Sequence, residues 1–82
     1  MRVKVKMPKL GLTMTEATVL EWRKSVGAPV TAGEPLLVIE TEKADVELEA
    51  PATGTLVEIV ATVKGVYPIG DVLAVIDAPG GA

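Results

Sequence analysis

The chain repeats itself. Val3-Lys4-Val5-Lys6-Met7-Pro8-Lys9-Leu10-Gly11 and Val46-Glu47-Leu48-Glu49-Ala50-Pro51-Ala52-Thr53-Gly54 share one pattern: apolar, charged, apolar, charged, apolar, Pro, two variable residues, Gly. Gly33-Glu34-Pro35-Leu36-Leu37-Val38-Ile39-Glu40 and Gly70-Asp71-Val72-Leu73-Ala74-Val75-Ile76-Asp77 share a second, Gly-acid-x-Leu-x-Val-Ile-acid. Between them, Val19-Leu20-Glu21-Trp22 corresponds to Leu56-Val57-Glu58-Ile59. Three matches in the same order define two similar half-domains, residues 3–40 and 46–77. The main difference lies in the first half, where about six extra residues, Leu12-Thr13-Met14-Thr15-Glu16-Ala17, separate Gly11 from Thr18.

The elements within each half read as strands. Val3 to Met7 alternates apolar and basic residues, the pattern of a half-buried strand, and Pro8 ends it. Thr15 to Val26 carries Glu16, Ala17, Leu20, Glu21, Arg23 and Lys24, which suit a helix. Its repeat partner, Leu56 to Val63, is rich in β-branched residues, so Thr18 to Arg23 is read as a strand too. Gly27-Ala28-Pro29 is a turn, Val30 to Gly33 leads into the next, and Pro35 to Thr41 is a strand. Tyr67-Pro68-Ile69-Gly70-Asp71 is taken as the counterpart of the Gly33 turn. The sum is about eight short strands in two sets, an all-β sandwich or flattened barrel. Residues 1–77 form the domain, and Ala78-Pro79-Gly80-Gly81-Ala82 reads as the start of a flexible linker.

Composition narrows the chemistry. The chain of 82 residues has no Cys and no His, which excludes disulfides, thiol chemistry, a structural zinc site and a histidine-based catalytic dyad. Valine is the commonest apolar residue, with one Trp, one Tyr and no Phe. So few aromatics, with a net charge of -3, argue against a nucleic-acid surface. No apolar run approaches a membrane span and no signal peptide is visible, so a soluble module without membrane contact is expected. Its expected setting is the bacterial cytoplasm, or the mitochondrial matrix for a mature eukaryotic fragment. Trp22 is read as a packing residue.

At the joint between the halves lies Glu40-Thr41-Glu42-Lys43-Ala44-Asp45. Leu36 to Ile39 precedes it and Val46 to Ala50 follows it, so the polar segment is the tip of a β-hairpin. Lys43 is the only lysine between Lys24 and Lys64, and the tip holds it toward solvent. A nucleophilic lysine needs desolvation or a neighbouring cation. Lys43 has instead Glu40, Glu42 and Asp45 close in sequence, and the chain offers it no acid–base partner. The isolated domain is therefore not expected to be an enzyme. A lone lysine on a stiff hairpin is better placed as a substrate, to which another enzyme attaches a group that then visits several active sites.

These residues resemble a known family. From Val3 to Asp77 the chain is similar to the lipoyl domain of the acyltransferase (E2) component of 2-oxo acid dehydrogenase complexes. Glu40-Thr41-Glu42-Lys43-Ala44 is close to the family's Glu-Thr-Asp-Lys-Ala, with Glu42 where Asp is commoner. Met7-Pro8-Lys9-Leu10-Gly11-Leu12-Thr13-Met14 looks like the family's opening, and Gly27 and Gly54 fall where it places glycines, here read as turn residues that need backbone freedom.

The resemblance implies two four-stranded antiparallel sheets related by quasi-twofold symmetry, with Lys43 on a tight turn, amide-linked to lipoate. A lipoate–protein ligase or lipoyl transferase would attach the group, with Glu40, Glu42, Ala44 and Asp45 as its recognition marks. A thiamine-diphosphate decarboxylase (E1) would reductively acylate the arm, the E2 catalytic domain would pass the acyl group to coenzyme A, and a flavin dehydrogenase (E3) would reoxidise it. Leu12, Thr13, Met14 and Glu16, in the inserted loop, would contribute to recognition by the decarboxylase. Segment 10–14 looks more like pyruvate- or acetoin-type acyltransferases than 2-oxoglutarate-type ones. The isolated domain is expected to be monomeric. A biotinyl carrier shares the fold but flanks its lysine with methionines, whereas the neighbours here are Glu42 and Ala44. The longer glycine-cleavage carrier and the lipoyl-like domains of transporter adaptors, which carry a helical hairpin and lack the lysine, fit less well.

Overall fold

The computed structural model describes residues 1–11 and 14–79. The expectations for Leu12 and Thr13, and for Gly80 to Ala82 of the expected linker 78–82, lie outside the described residues, whereas Ala78, read as linker, is buried and its N–H donates to Met1 O. Eight strands and no helix are found within them: β1 (Arg2–Lys6), β2 (Glu16–Trp22), β3 (Pro29–Val30), β4 (Pro35–Glu40), β5 (Asp45–Glu49), β6 (Gly54–Ile59), β7 (Val66–Pro68) and β8 (Val72–Asp77). They form two four-stranded sheets, ordered β1-β8-β6-β3 and β5-β4-β2-β7. All the pairings are antiparallel. No ladder joins one sheet to the other among the described residues, so the fold is a flattened sandwich and not a closed barrel. The helix-compatible residues after Thr15 are strand because alternate positions, Ala17 and Val19, are buried.

The repeat is visible bond by bond. Met7 N–H donates to Asp71 O at 2.9 Å, and its counterpart Ala50 N–H donates to Glu34 O at 2.8 Å. Arg23 N–H reaches Leu36 O at 2.7 Å, as Val60 N–H reaches Leu73 O at 2.9 Å. The register slips once in β2–β4, between Val19 and Glu21, and at the equivalent place in β6–β8, between Leu56 and Glu58. Exchanging β1 with β5, β2 with β6, β3 with β7 and β4 with β8 converts one sheet order into the other.

The halves are nevertheless not separate bodies. Each sheet takes two strands from each half, so β1 pairs with β8 and β5 pairs with β4. The two inner faces close on one core, in which Met7, Val19, Leu36, Leu37, Ile39, Leu56, Leu73 and Ile76 are fully buried. Each such side chain stabilises the fold by about 1.5–3 kcal/mol relative to exposure. No polar side chain is buried among the described residues. Trp22 packs against this core and its indole N–H donates to Ala61 O at 2.9 Å.

Several boundaries differ from the sequence reading. β6 ends at Ile59, because the chain turns at Thr62–Gly65 with Lys64 at φ 72°. Pro29, read as turn, opens β3, and Tyr67-Pro68, also read as turn, belongs to β7. Both are edge strands, where a residue without an N–H is tolerated. Glu16 and Ala17, read as loop, already belong to β2. Gly54, read as a turn residue, opens β6, and it is absent from the positive-φ glycines, which are Gly27, Gly33 and Gly70.

Candidate functional site

The tip between β4 and β5 is closed by Glu40 opposite Asp45 as the last rung. Beyond it, Thr41 N–H donates to Ala44 O at 2.9 Å. The Thr41 hydroxyl adds two contacts: Oγ1 donates to Ala44 O at 2.8 Å and accepts from Ala44 N–H at 3.2 Å. A threonine side chain thus takes the place that a backbone carbonyl usually fills across a four-residue turn. Glu42 and Lys43 are the two central residues, both exposed and neither at positive φ, so the turn needs no glycine. The sequence reading did not single out Thr41. The signal available was a threonine three residues before the turn's end, which is compatible with a side-chain-capped turn.

Lys43 therefore stands at the outermost point of a clamped hairpin. Ala44 and Asp45 beside it are exposed, as is Glu40. None of the ion pairs among the described residues involves Glu16, Glu40, Glu42, Lys43 or Asp45. The pairing of Glu40 with Asp45 places like charges directly opposite each other, an arrangement that weakens a strand pair. No ion pair among the described residues offsets this repulsion.

Leu10, Met14 and Glu16 line an open depression together with Glu40, Glu42, Lys43 and Val66 of β7. Met14 N–H donates to Gly11 O at 3.2 Å, and Leu10 N–H reaches Met14 Sδ at 3.3 Å. Met14 is half-buried against the core, whereas Glu16 is exposed at the start of β2. Gly27 occupies a turn at φ 95°, but it lies far from the tip, with its N–H on Leu56 O at 2.7 Å. Gly54 faces the end of β8, where a Cβ would collide with the Asp77 carbonyl oxygen and approach Ala78 Cα to 2.9 Å. Neither glycine touches Lys43.

Met1 and Ala78 sit at the other end of the sandwich. Ala78 N–H donates to Met1 O at 2.8 Å, which is the repeat counterpart of the bond from Thr41 to Ala44. β1 starts there and runs toward Met7, whose neighbours Ile69 to Asp71 lie beside Thr15, next to the Lys43 tip.

A family model described as "Biotin-requiring enzyme", the biotin/lipoyl attachment domain, matches residues 3–76. The chain is 44% identical over 70 residues to the dihydrolipoyllysine-residue acetyltransferase component of the pyruvate dehydrogenase complex of Corynebacterium glutamicum, covering 85% of this chain and 10% of that protein. It is 51% identical over 59 residues to the corresponding component of the acetoin cleaving system of Bacillus subtilis, covering 72% of this chain and 15% of that one. Among solved structures, the lipoyl domain of the 2-oxoglutarate dehydrogenase complex from Azotobacter vinelandii superposes with a TM-score of 0.78 at 29% identity, covering 95% of this chain and 99% of that domain. The chain thus spans between a tenth and a sixth of the length of these two curated relatives.

Proposed function

We propose that this chain, which belongs to the biotin/lipoyl attachment family and within it to the lipoyl domains of dihydrolipoyllysine acyltransferases, is a swinging-arm carrier with Lys43 as its attachment point. The family carries lipoate on a lysine. The observation that supports Lys43 is its place: an exposed residue, without an ion pair among the described residues, at the tip of a clamped hairpin. Among the described residues Lys43 is exposed where it lines an open depression, so the site suits a covalent arm that must leave the surface.

Lys43 Nζ is the group that becomes the amide, and the reaction exchanges its positive charge for a neutral N–H. Once attached, lipoate supplies a disulfide–dithiol couple that accepts an acyl group together with two electrons. The domain's own residues then act by position. Thr41 holds the tip, while Glu40, Glu42, Ala44 and Asp45 present a small acidic surface to a lipoate ligase or lipoyl transferase. Met14 and Glu16, with Leu12 and Thr13, contribute to recognition by the decarboxylase E1. The other partners are the E2 catalytic domain and the flavin dehydrogenase E3. The domain itself performs no chemistry. A pyruvate- or acetoin-type parent is favoured by segment 10–14 and is compatible with relatives in those two systems, although 2-oxoglutarate-type relatives are also found.

The test is the intact mass after incubation with lipoate, ATP and lipoate–protein ligase, beside a biotin-ligase reaction and Lys43→Arg. One lipoyl group is expected on the parent and none on the variant, whose guanidinium is a poor acyl acceptor. A gain in the biotin reaction alone would move the domain to the biotinyl branch of the family. A modified Lys43→Arg would put the arm on another residue.

A further inference from the structure

We infer that Thr41 is a positioning residue for modification of Lys43, acting through the Ala44 backbone to hold the tip in the one shape a modifying enzyme can accept. The inference rests on Lys43 being the attachment point. The Thr41 hydroxyl contacts both polar backbone atoms of Ala44, at 2.8 Å to the oxygen and 3.2 Å to the nitrogen. Those two atoms flank Lys43 on its C-terminal side, so fixing them fixes the direction in which the lysine leaves the turn.

The repeat supplies an internal control. Ala78 occupies the position equivalent to Thr41, and its N–H makes the same bond to Met1 O, at 2.8 Å against 2.9 Å. There the second bond of the rung is made by the Met1 ammonium, which donates to Ala78 O at 2.9 Å. The N–H to carbonyl bond of the ladder thus forms without a hydroxyl, and the Thr41 hydroxyl is an addition at the joint that carries the lysine. Glu42 and Lys43 are exposed, and the rung beneath them pairs two acids, Glu40 and Asp45. Like charges there push the strands apart, and no proline stiffens the tip. The Thr41 clamp is what opposes that fraying.

The physical consequence separates this role from a merely structural one. If the clamp sets the fraction of molecules whose tip is competent, its loss lowers that fraction, so the apparent affinity for the ligase falls in proportion while the chemistry at saturation is left alone. Thr41→Val keeps the shape and β-branching and removes the hydroxyl; Thr41→Ser keeps the hydroxyl and removes the methyl. The modification kinetics of both are measured on the apo domain with lipoate, ATP and lipoate–protein ligase, beside thermal unfolding and the exchange rate of the Ala44 amide. Thr41→Val is expected to raise KM about tenfold, the factor that corresponds to one ordinary hydrogen bond, with kcat unchanged. Its Ala44 amide should exchange faster while the unfolding midpoint stays near the parent's. Thr41→Ser should restore KM. A Thr41→Val domain with the parent's KM and Ala44 exchange rate would overturn the role of Thr41 and leave Lys43 standing. So would a Thr41→Ser domain as impaired as Thr41→Val, or a KM effect matched by global unfolding. A parent that takes no lipoate would overturn the reading of Lys43 itself.

Discussion

Gly27 and Gly54 look alike in the sequence and are glycines for different reasons. Gly27 adopts φ 95°, where a side chain is strained although nothing crowds its Cβ position. Its repeat counterpart, Lys64, accepts φ 72° with a full side chain, so the strain is tolerable. Gly54 has ordinary backbone geometry and no room: its missing Cβ points at the backbone of Asp77 and Ala78, which cannot rotate away. Gly54→Val is therefore expected to cost about 3 kcal/mol, and to lower the melting temperature by on the order of 15 °C. Gly27→Val should cost less. Differential scanning calorimetry that ranked the two the other way would refute the steric account. Tyr67 offers a second residue-level test. The Thr62 hydroxyl at 3.2 Å and the Thr62 N–H at 2.8 Å favour its ionised form and hold its pKa below the usual tyrosine range. Ultraviolet titration should place the phenolate midpoint below about 10, and Thr62→Ala should move it back up. Because the folded value is the lower one, this interaction adds stability only in the alkaline range, growing as pH rises from the folded midpoint to the unfolded one, and adds none at neutral pH. A midpoint at or above that of free tyrosine would remove the interaction from the account.

Among the elements, the hairpin and the inserted loop are legible in the sequence, and the smallest strands are not. Leu36 to Ile39 and Val46 to Ala50 carry strand-forming residues on both sides of a polar break, so the Lys43 tip is visible locally. β3 and β7 span two and three residues, and the Pro29 and Pro68 that bound them are the residues by which turns are recognised. Only pairing with β6 and β2 makes them strands, and pairing leaves no local signature. The Thr41 clamp was hidden for a similar reason, since a threonine in a β-rich chain is unremarkable until its hydroxyl is seen bridging Ala44. Of the loop from Gly11 to Thr18, Gly11 and the residues from Met14 to Thr18 line one depression together with the tip, so they form one surface with it. Replacing that loop with the corresponding one from a different 2-oxo acid complex should change the rate of reductive acylation by the decarboxylase while lipoylation of Lys43 proceeds as before. Acylation at the parental rate would assign the loop no part in partner choice. Lost lipoylation would instead show that the loop supports the tip.

At the scale of the whole molecule, the repeat raises the question of why one chain is needed at all. Two copies of the first half could in principle assemble about the same twofold axis. The axis runs between β1 and β5, whose side chains Lys4, Lys6, Glu47 and Glu49 line one depression. Lys4 and Glu47 are repeat counterparts, as are Lys6 and Glu49, so the symmetry that conserves the backbone inverts the charge. A pair of first halves would bring lysines against lysines at this seam, and a pair of second halves would bring acids against acids. Buried counterparts also differ in size, Met7 against Ala50 and Leu37 against Ala74, so the core is filled by unlike halves. Each half alone would have only two of the four strands of each sheet. Fragments 1–42 and 43–79 should therefore lack a cooperative thermal transition when separate and recover strand structure as a one-to-one complex when mixed. A cooperative transition in either fragment alone would mean that a half is a folding unit. A mixture that stayed unfolded would mean that the Lys43 turn, by keeping the halves at high effective concentration, is needed for folding as well as for carrying the arm.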